Sequence, residues 1–368
     1  MPPSFLACAN GFSIDGGEGR AQKGWVNATA LRDKLADWFL ACGRDLPWRG
    51  TRDPYAVLVS EMMLQQTQVA AVVPYFVRWM QRFPTVAKLA AAGEEEVLGA
   101  WAGLGYYARA RSLHRAAKLV LEQHGGGIPG EREAVEALPG VGRYTAGAVL
   151  SFAFDQPVAA VDANIARVLA RLFNVRMAVD SARGQARIWS LAEDLLPGDG
   201  GRLHNSALME LGALVCLPRQ PRCEECPVRA HCAAPDPQKL PIKKPRRKVV
   251  EMEENCVWDF NRRGVMLELQ EGRRWKGMWK LPMLERRGAG APVLEDEYPF
   301  THHRVKLRVY AQRCAGGGGA RRISLARLAV LPMVAAHGRA VHRLLSVAGR
   351  GGGGRGAAAE ALRGAATV

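Results

Sequence analysis

The spacing of apolar residues changes once along the chain, and this change constrains the fold more than any other feature of the sequence. Up to about Pro237, apolar residues recur every three or four positions, which predicts successive helices; examples are Leu31, Leu35 and Trp38, and Ile165, Val168 and Leu169. Beyond residue 250 they alternate with polar residues, which predicts strands; examples are Val265, Leu267 and Leu269. We therefore expect an all-helical domain over residues 26–237 and a smaller mixed α/β domain over residues 252–346.

Composition separates these two domains from each other and from the chain ends. Residues 238–251 contain six Lys or Arg residues and two Pro residues, which predicts an extended basic linker. Residues 1–25 and 347–368 are rich in Gly without any apolar period, and we expect both to be disordered tails.

The charge of the chain favours a polyanionic partner. The formal net charge is +16, and nucleic acid is the first expectation for such a field, with an acidic protein as the alternative. No apolar run approaches the roughly 18 residues of a membrane helix, and the first residues do not resemble a secretory signal. We expect a cytoplasmic protein, associated with the nucleoid if it is bacterial.

Four of the eight cysteines are crowded together with the spacing Cys-x6-Cys-x2-Cys-x5-Cys: Cys216, Cys223, Cys226 and Cys232. Crowded thiols of this kind indicate a metal site in a reducing compartment, and four incidental thiols are the alternative. Zinc sites more often show two Cys-x2-Cys pairs, and this set has one. The spacing therefore favours a four-cysteine [4Fe-4S] cluster.

The run from Leu138 to Ala146 predicts a tight turn between two helices. Gly140 and Gly142 allow the backbone to approach a phosphate closely, and the helix that follows presents free N–H groups to it. The alternative is a turn that binds nothing. Because the run lies between two helical stripes, it favours a clamp on the backbone of a nucleic acid.

Two acidic residues lie at positions that favour different protonation states. Glu61 shares a helix face with Val57 and Leu58, so we expect a raised pKa and a carboxyl that can donate a proton near neutral pH. Asp162 begins a helix, whose first amides favour its anion. One protonated and one ionised carboxyl is the pair that glycosidic cleavage uses. The alternatives are an ion pair between Glu61 and an arginine, and a simple helix cap at Asp162.

Beyond these features, the chain resembles the MutY-type adenine DNA glycosylases over roughly residues 30–235. The resemblance is carried by Trp48-Arg49, by Ser60-Glu61-Met62-Met63-Leu64-Gln65-Gln66-Thr67-Gln68-Val69, and by Trp101-Ala102-Gly103-Leu104-Gly105-Tyr106-Tyr107-Ala108-Arg109-Ala110-Arg111. The glycine turn, the helix from Val161 to Arg171 and the four cysteines match the same family. A weaker resemblance to the family's Nudix-like C-terminal domain lies in Gly277-Met278-Trp279-Lys280-Leu281-Pro282 and in Phe300-Thr301-His302, where the family has Phe-Ser-His.

The resemblance implies a helix-hairpin-helix glycosylase with an iron–sulfur cluster that removes adenine opposite 8-oxoguanine, or opposite G, from double-stranded DNA as a monomer. It implies that Glu61 protonates adenine and helps to activate water, and that Asp162 stabilises, or transiently bonds, the sugar cation. It implies that Tyr144 and Asn164 support both acids. The family positions that contact the DNA or the lesion are matched by Arg49, Gln66, Tyr106, Gly140, Gly142, Phe300, Thr301 and His302. For Gln66 and Tyr106 the alternatives are a solvated amide and a core aromatic residue.

Two departures from the family pattern and two alternative functions bear on this interpretation. Some relatives carry Lys where Ala166 stands, which excludes a Schiff base at that position, and the sequence pattern of Nudix hydrolases is missing. Endonuclease-III-type glycosylases carry a strand-nicking Lys where Tyr144 stands, and Tyr is a poor nucleophile at its ordinary pKa. A non-catalytic lesion-binding protein is the other rival, and it would not need both acids. The sequence favours a glycosylase that does not nick the strand.

Overall fold

The computed structural model describes residues 27–245, 248–272, 275–314, 319–328 and 331–348. The two tails expected from the sequence lie almost entirely outside these residues. The described residues pack as two compact units, one formed by those up to Ala90 together with Arg115–Pro245, and the other by Ala91–His114 together with those after Pro245. This division differs from the sequence-based boundaries because Ala91–His114 belongs to the second unit.

The first unit is helical, as the apolar spacing predicts. Its helices are α1 (Ala28–Cys42), α2 (Pro54–Leu64), α3 (Val69–Arg82), α4 (Val86–Ala91), α6 (Ala108–His124, shared with the second unit), α7 (Arg132–Glu136), α8 (Arg143–Phe152), α9 (Ala163–Leu172), α10 (Ala182–Asp194) and α11 (Arg202–Leu214). Side-chain oxygens of Asn27, Asp53, Asp162 and Ser181 cap four of them by accepting first-turn amides. None of the helices in the described ranges is long and apolar enough to cross a lipid bilayer.

The apolar stripes of four of these helices meet in one core. Buried residues of α1, α9, α10 and α11 contribute to it, including Leu31, Leu35, Val168, Ile188 and Leu208. This core fixes the start of α9, where Asp162 lies, against the length of α11.

The turn between α7 and α8 has the expected form. The Val141 N–H donates to the Leu138 carbonyl over 3.0 Å, and Gly140 has a φ of +81°, in the left-handed region. Gly142 has an extended backbone and is the N-cap of α8. Only Gly140 therefore needs to be glycine for its backbone conformation.

The second unit contains α5 (Glu94–Ala100), the start of α6 and two sheets. In the first sheet, β6 (His303–Ala311) pairs in parallel with β1 (Val250–Trp258) and antiparallel with β5 (Leu294–Phe300). In the second, β3 (Gly264–Leu269) pairs antiparallel with β2 (Phe260–Asn261), β4 (Trp279–Lys280) and β7 (Ala320–Ile323). Two further helices are α12 (Leu325–Leu328) and α13 (Ala335–Ala348).

The segment expected to be a linker is shorter than residues 238–251. Leu240 is buried, and its carbonyl accepts a hydrogen bond from Arg171 Nε over 3.0 Å. The Ile242 carbonyl accepts the Val179 N–H over 2.9 Å, and β1 already begins at Val250. The apolar side chain of Leu240 and these backbone bonds hold the first part of the segment to the helical unit despite its basic composition.

Candidate active site

The helical unit contains a large cavity of about 1330 Å³. Its lining brings together six of the residues selected from the sequence: Arg49, Glu61, Gln66, Tyr144, Asp162 and Asn164. They come from α2, α8, α9 and the loops before and after α2, so the fold assembles the site from segments more than 100 residues apart.

Glu61 lies on α2 among buried apolar residues and is itself only 4% exposed. Its Oε2 accepts a 2.5 Å hydrogen bond from the Tyr144 hydroxyl. Burial raises the pKa of Glu61 to about 7, and the nearby Asp162 charge adds to this, while the Tyr144 hydrogen bond opposes it. Glu61 can therefore hold a proton near neutral pH, as the helix face on which it lies predicts.

Asp162 is the N-cap of α9, and both of its carboxyl oxygens are hydrogen-bonded. Its Oδ1 accepts the Ile165 N–H and its Oδ2 accepts the Asn164 side-chain amide, each over 2.7 Å. The Asn164 Oδ1 in turn accepts from the Arg167 guanidinium over 2.9 Å, and Arg167 also donates to the Cys216 carbonyl over 2.8 Å. This chain of bonds fixes the orientation of the Asp162 carboxyl.

The protonation of Asp162 differs in one respect from the sequence-based expectation. Burial outweighs every other effect and leaves its pKa above the ordinary value, although the helix amides lower it, as expected, and Asn164 and Arg167 lower it as well. The pKa of the Tyr144 hydroxyl is also raised well above its ordinary value, first by burial and then by the two acids. Tyr144 therefore serves as a hydrogen-bond donor here and not as an anion.

Glu210 is a cavity residue that sequence reasoning missed. Its carboxylate is 1% exposed and accepts hydrogen bonds from Arg44 (2.8 Å) and Arg49 (2.7 Å). Burial alone would raise the pKa of Glu210, but the hydrogen bonds from both arginines lower it to about 2. The signal in the sequence is a single acidic residue within the otherwise uncharged run from Ser206 to Val215.

This ion pair changes the interpretation of Arg49. Its guanidinium binds Glu210 and the Arg44 carbonyl, and it lies 5.1 Å from the Phe39 ring centroid. The structure therefore gives Arg49 a role in the cavity wall, and its contact with DNA stays a prediction. Gln66, in contrast, is exposed at the cavity with a φ of +57°.

The other residues selected from the sequence lie outside this cavity. Gly140 and Gly142 are exposed in the turn before α8. Tyr106 belongs to the second unit, is 56% exposed and has a φ of +49°. Thr301 and His302 form the two-residue turn between β5 and β6, and Phe300 at the end of β5 packs against the second unit's core.

The four crowded cysteines follow α11 in a loop with two short 3-10 turns. Cys216, Cys226 and Cys232 pack against the core formed by α1, α9, α10 and α11. Burial raises the pKa of the Cys226 thiol to about 12, and the charges of the other three cysteines add to it. Among the described residues, no three or more His, Cys, Asp or Glu side chains converge as the ligands of a single metal ion.

Comparisons with known proteins agree with this geometry. Residues 59–192, which include Glu61, Tyr144 and Asp162, match the HhH-GPD superfamily of base excision DNA repair proteins. An adenine DNA glycosylase of Rattus norvegicus is 47% identical over 222 residues, which are 57% of this chain and 42% of the relative. One from Buchnera aphidicola subsp. Schizaphis graminum is 32% identical over 253 residues, which are 67% of this chain and 73% of the relative.

A solved structure confirms the fold of the helical part. The structure of a thermostable thymine-DNA glycosylase matches 56% of this chain and 95% of its own, with 32% identity and a TM-score of 0.52. The expected helical glycosylase fold is thus confirmed, and an α/β unit with strands accompanies it. The chain spans about two fifths of the length of the rat relative.

Proposed function

The chain belongs to the adenine DNA glycosylase family, and we propose that it removes adenine from mispaired double-stranded DNA by hydrolysing the bond between base and sugar. The observation that carries the proposal is the pair of buried carboxyls in one cavity. Glu61 is held by the Tyr144 hydroxyl, and Asp162 is held by Asn164 and the start of α9.

Glu61 supplies the proton that makes adenine a leaving group. With a pKa of about 7, it is partly protonated near neutral pH and can protonate a ring nitrogen of adenine. The bond between base and sugar then breaks, and its electron pair leaves with the neutral base. The Glu61 carboxylate accepts a proton from the water that attacks the sugar, which returns the carboxyl to its starting state.

Asp162 acts on the positive charge that develops on the sugar. Its fixed carboxyl lines the same cavity, so its anion stabilises a sugar cation there. A cation beside it also favours the ionised form, against the effect of burial. Tyr144 and Asn164 do not react in this scheme and hold the two carboxyls in place.

The product is an abasic site in an intact strand. The residue at position 144 is a tyrosine with a strongly raised pKa, which makes it a poor nucleophile toward the sugar. Ala166 offers no amine for a Schiff base either.

The second unit is the candidate reader of the opposite base. Adenine is a normal base, so selection needs contacts that distinguish 8-oxoguanine and G from T. The turn between β5 and β6 exposes Thr301 at a φ of +53°, with His302 beside it. Because of this turn and the sequence resemblance, we propose that the unit is Nudix-like, binds without hydrolysing nucleotides and reads 8-oxoguanine.

The cysteine loop fits a [4Fe-4S] cluster by its donor set. Burial, together with the charges of neighbouring cysteines, raises the pKa of the Cys226 and Cys232 thiols, and a cationic iron centre would stabilise such thiols as thiolates. Cys216, Cys223, Cys226 and Cys232 would hold it, and when bound it would cross-link the loop to the core beside α9.

Base release from defined duplexes tests the proposal. The purified protein is mixed in excess with duplexes that carry A opposite 8-oxoguanine, A opposite G, A opposite T, T opposite G, or thymine glycol. Adenine should leave the first two, and Glu61→Gln and Asp162→Asn should each abolish this release while DNA affinity stays largely intact. The matched control is Asp53→Asn, because Asp53 caps α2 as Asp162 caps α9 and asparagine caps equally well.

Asp53→Asn should release adenine at the wild-type rate. Release of thymine or thymine glycol in place of adenine would contradict the proposed substrate. Release of adenine by both acid variants would contradict the proposed mechanism.

A further inference from the structure

The loop that carries Tyr106 belongs to the α/β unit, although α2, α8 and α9 of the catalytic cavity belong to the helical unit. The loop runs from Trp101 to Tyr107 between α5 and α6, and three of its residues have positive φ: Gly103, Gly105 and Tyr106. A residue with a side chain adopts this conformation at a cost and keeps it only where its surroundings fix it. The contacts that fix Tyr106 therefore matter for its role.

Tyr107 makes a polar contact between this loop and a distant part of the unit. Its side chain is 8% exposed, and its hydroxyl donates to the Met333 carbonyl over 3.2 Å. The same oxygen accepts the Gly103 N–H over 3.3 Å. The Tyr107 hydroxyl thus bonds to the backbone within the loop and to the backbone of a residue more than 200 positions later.

The acceptor is itself held rigidly. The Trp279 N–H donates to the Pro332 carbonyl over 2.8 Å, and the Val334 N–H donates to the Trp279 carbonyl over 2.9 Å. These bonds place Met333 beside β4 as an added bridge of the sheet. Tyr107 is therefore tied to the sheet framework and not to a separate loop.

A second set of contacts leads from the same helices to the turn at Thr301. A Cβ at Gly277 would lie 3.2 Å from Arg111 Nη2, so the backbone there passes close to the pair formed by Arg111 and Glu94. Two residues earlier, the Trp275 ring meets the Phe300 ring edge to face at 5.5 Å. Phe300 directly precedes the turn that exposes Thr301.

We propose that Tyr107 is a positioning residue that fixes Tyr106 relative to the Thr301–His302 turn, so that the Tyr106 side chain, expected to contact the DNA, and the reader of the opposite base act as one rigid element. The inference rests on the proposed function. Its physical basis is that both groups belong to one compact unit and are joined through Met333 and through Gly277, Trp275 and Phe300.

Tyr107→Phe removes only the hydroxyl and tests the inference. A hydrogen bond of this kind changes an equilibrium by about three- to tenfold, so the preference for A opposite 8-oxoguanine over A opposite G should fall by about that factor. In a protein that already carries Thr301→Ala and His302→Ala, Tyr107→Phe should cause little further loss of preference. Hydrogen exchange at residues 101–107 should also become faster.

Tyr55→Phe is the matched control. Tyr55 is also buried, and its hydroxyl donates to the Phe83 carbonyl over 2.8 Å and accepts the Trp79 indole N–H over 3.3 Å, all within the helical unit. Its loss should affect stability to a similar extent but leave the preference and the exchange of residues 101–107 unchanged. If Tyr107→Phe does not fold, Gly277→Ala, which crowds Arg111, should lower the preference in the same way.

Two results would overturn the inference: an unchanged preference in Tyr107→Phe, which includes an equal loss of rate on both duplexes, or losses that multiply with those of the Thr301 and His302 variants. Failure of the proposed function looks different. In that case the wild-type protein releases no adenine from either duplex, and only the exchange measurement still reports on the Tyr107 contact.

Discussion

The ionisation of Glu61 should lower the free energy of unfolding as the pH rises through neutrality. Burial and the neighbouring Asp162 raise its pKa from 4.5 to about 7 in the folded state. A carboxyl with a raised pKa stabilises the fold only while it is protonated, so this stability is present below pH 4.5 and is lost as the pH rises through about 7. The shift corresponds to about 3 kcal/mol at pH 8.

Glu61→Gln removes this cost because the amide stays neutral at every pH. The variant should match the wild type in stability near pH 4.5 and exceed it by about 3 kcal/mol at pH 8. For a domain of this size the gain corresponds to roughly 6 to 12 °C in the unfolding temperature. Calorimetry of both proteins between pH 4.5 and 8.5 measures the difference directly.

Glu210→Gln is a control of opposite sign in the same cavity wall. The pKa of Glu210 falls to about 2, so its stabilising effect is present above pH 4.5 and is lost only at lower pH. Glu210→Gln should therefore be less stable than the wild type by a constant amount from pH 5 to 8. If Glu61→Gln gains no stability at pH 8, or gains the same amount at all pH values, the raised pKa of Glu61 is refuted.

Three further predictions concern Tyr144, the reaction product and the cysteine loop. Tyr144→Phe removes the hydrogen bond that lowers the pKa of Glu61, so the fall in base release at alkaline pH should move up by about one pH unit; no movement in a single-turnover pH profile would contradict this. The strand should break at the product site only after alkali treatment, as gels run with and without alkali would show, and nicking by the protein alone would contradict the role given to Tyr144. The protein should be brown and contain equimolar iron and sulfide. Cys226→Ser should lose the iron and the colour, and the control Cys42→Ser should keep both. A colourless protein that contains zinc would contradict the cluster.

Local patterns in the sequence were sufficient to predict several parts of the site. The apolar face of α2 predicts a raised pKa for Glu61, and the structure bears this out. The position before α9 predicts that Asp162 caps a helix, which it does. The sequence signal for each lies within four residues of it, although the burial that raises the pKa of Glu61 is completed by the assembled fold.

Features that depend on distant contacts were not predictable in this way. The carboxylate of Glu210 is stabilised by arginines more than 160 positions away, so its sequence surroundings give only a weak signal. Burial of Asp162 by the assembled fold outweighs the local effect of the helix amides on its pKa. The assignment of Ala91–His114 to the second unit depends on contacts such as Tyr107 with Met333, which no periodic pattern encodes.

Two substitutions in the turn before α8 distinguish an effect on folding from an effect on DNA binding. Gly140 has a φ of +81°, so Gly140→Ala should cost about 1 to 2 kcal/mol of stability by backbone strain alone. Gly142 has an extended backbone with no atom within 4 Å of an added Cβ, and serine is a good N-cap, so Gly142→Ser should fold as well as the wild type. If the Gly142 backbone approaches a phosphate, the serine side chain fills that space, and affinity for an undamaged duplex at fixed salt should fall several-fold while urea unfolding is unchanged. Wild-type affinity in Gly142→Ser would mean that the turn connects two helices and does not clamp DNA.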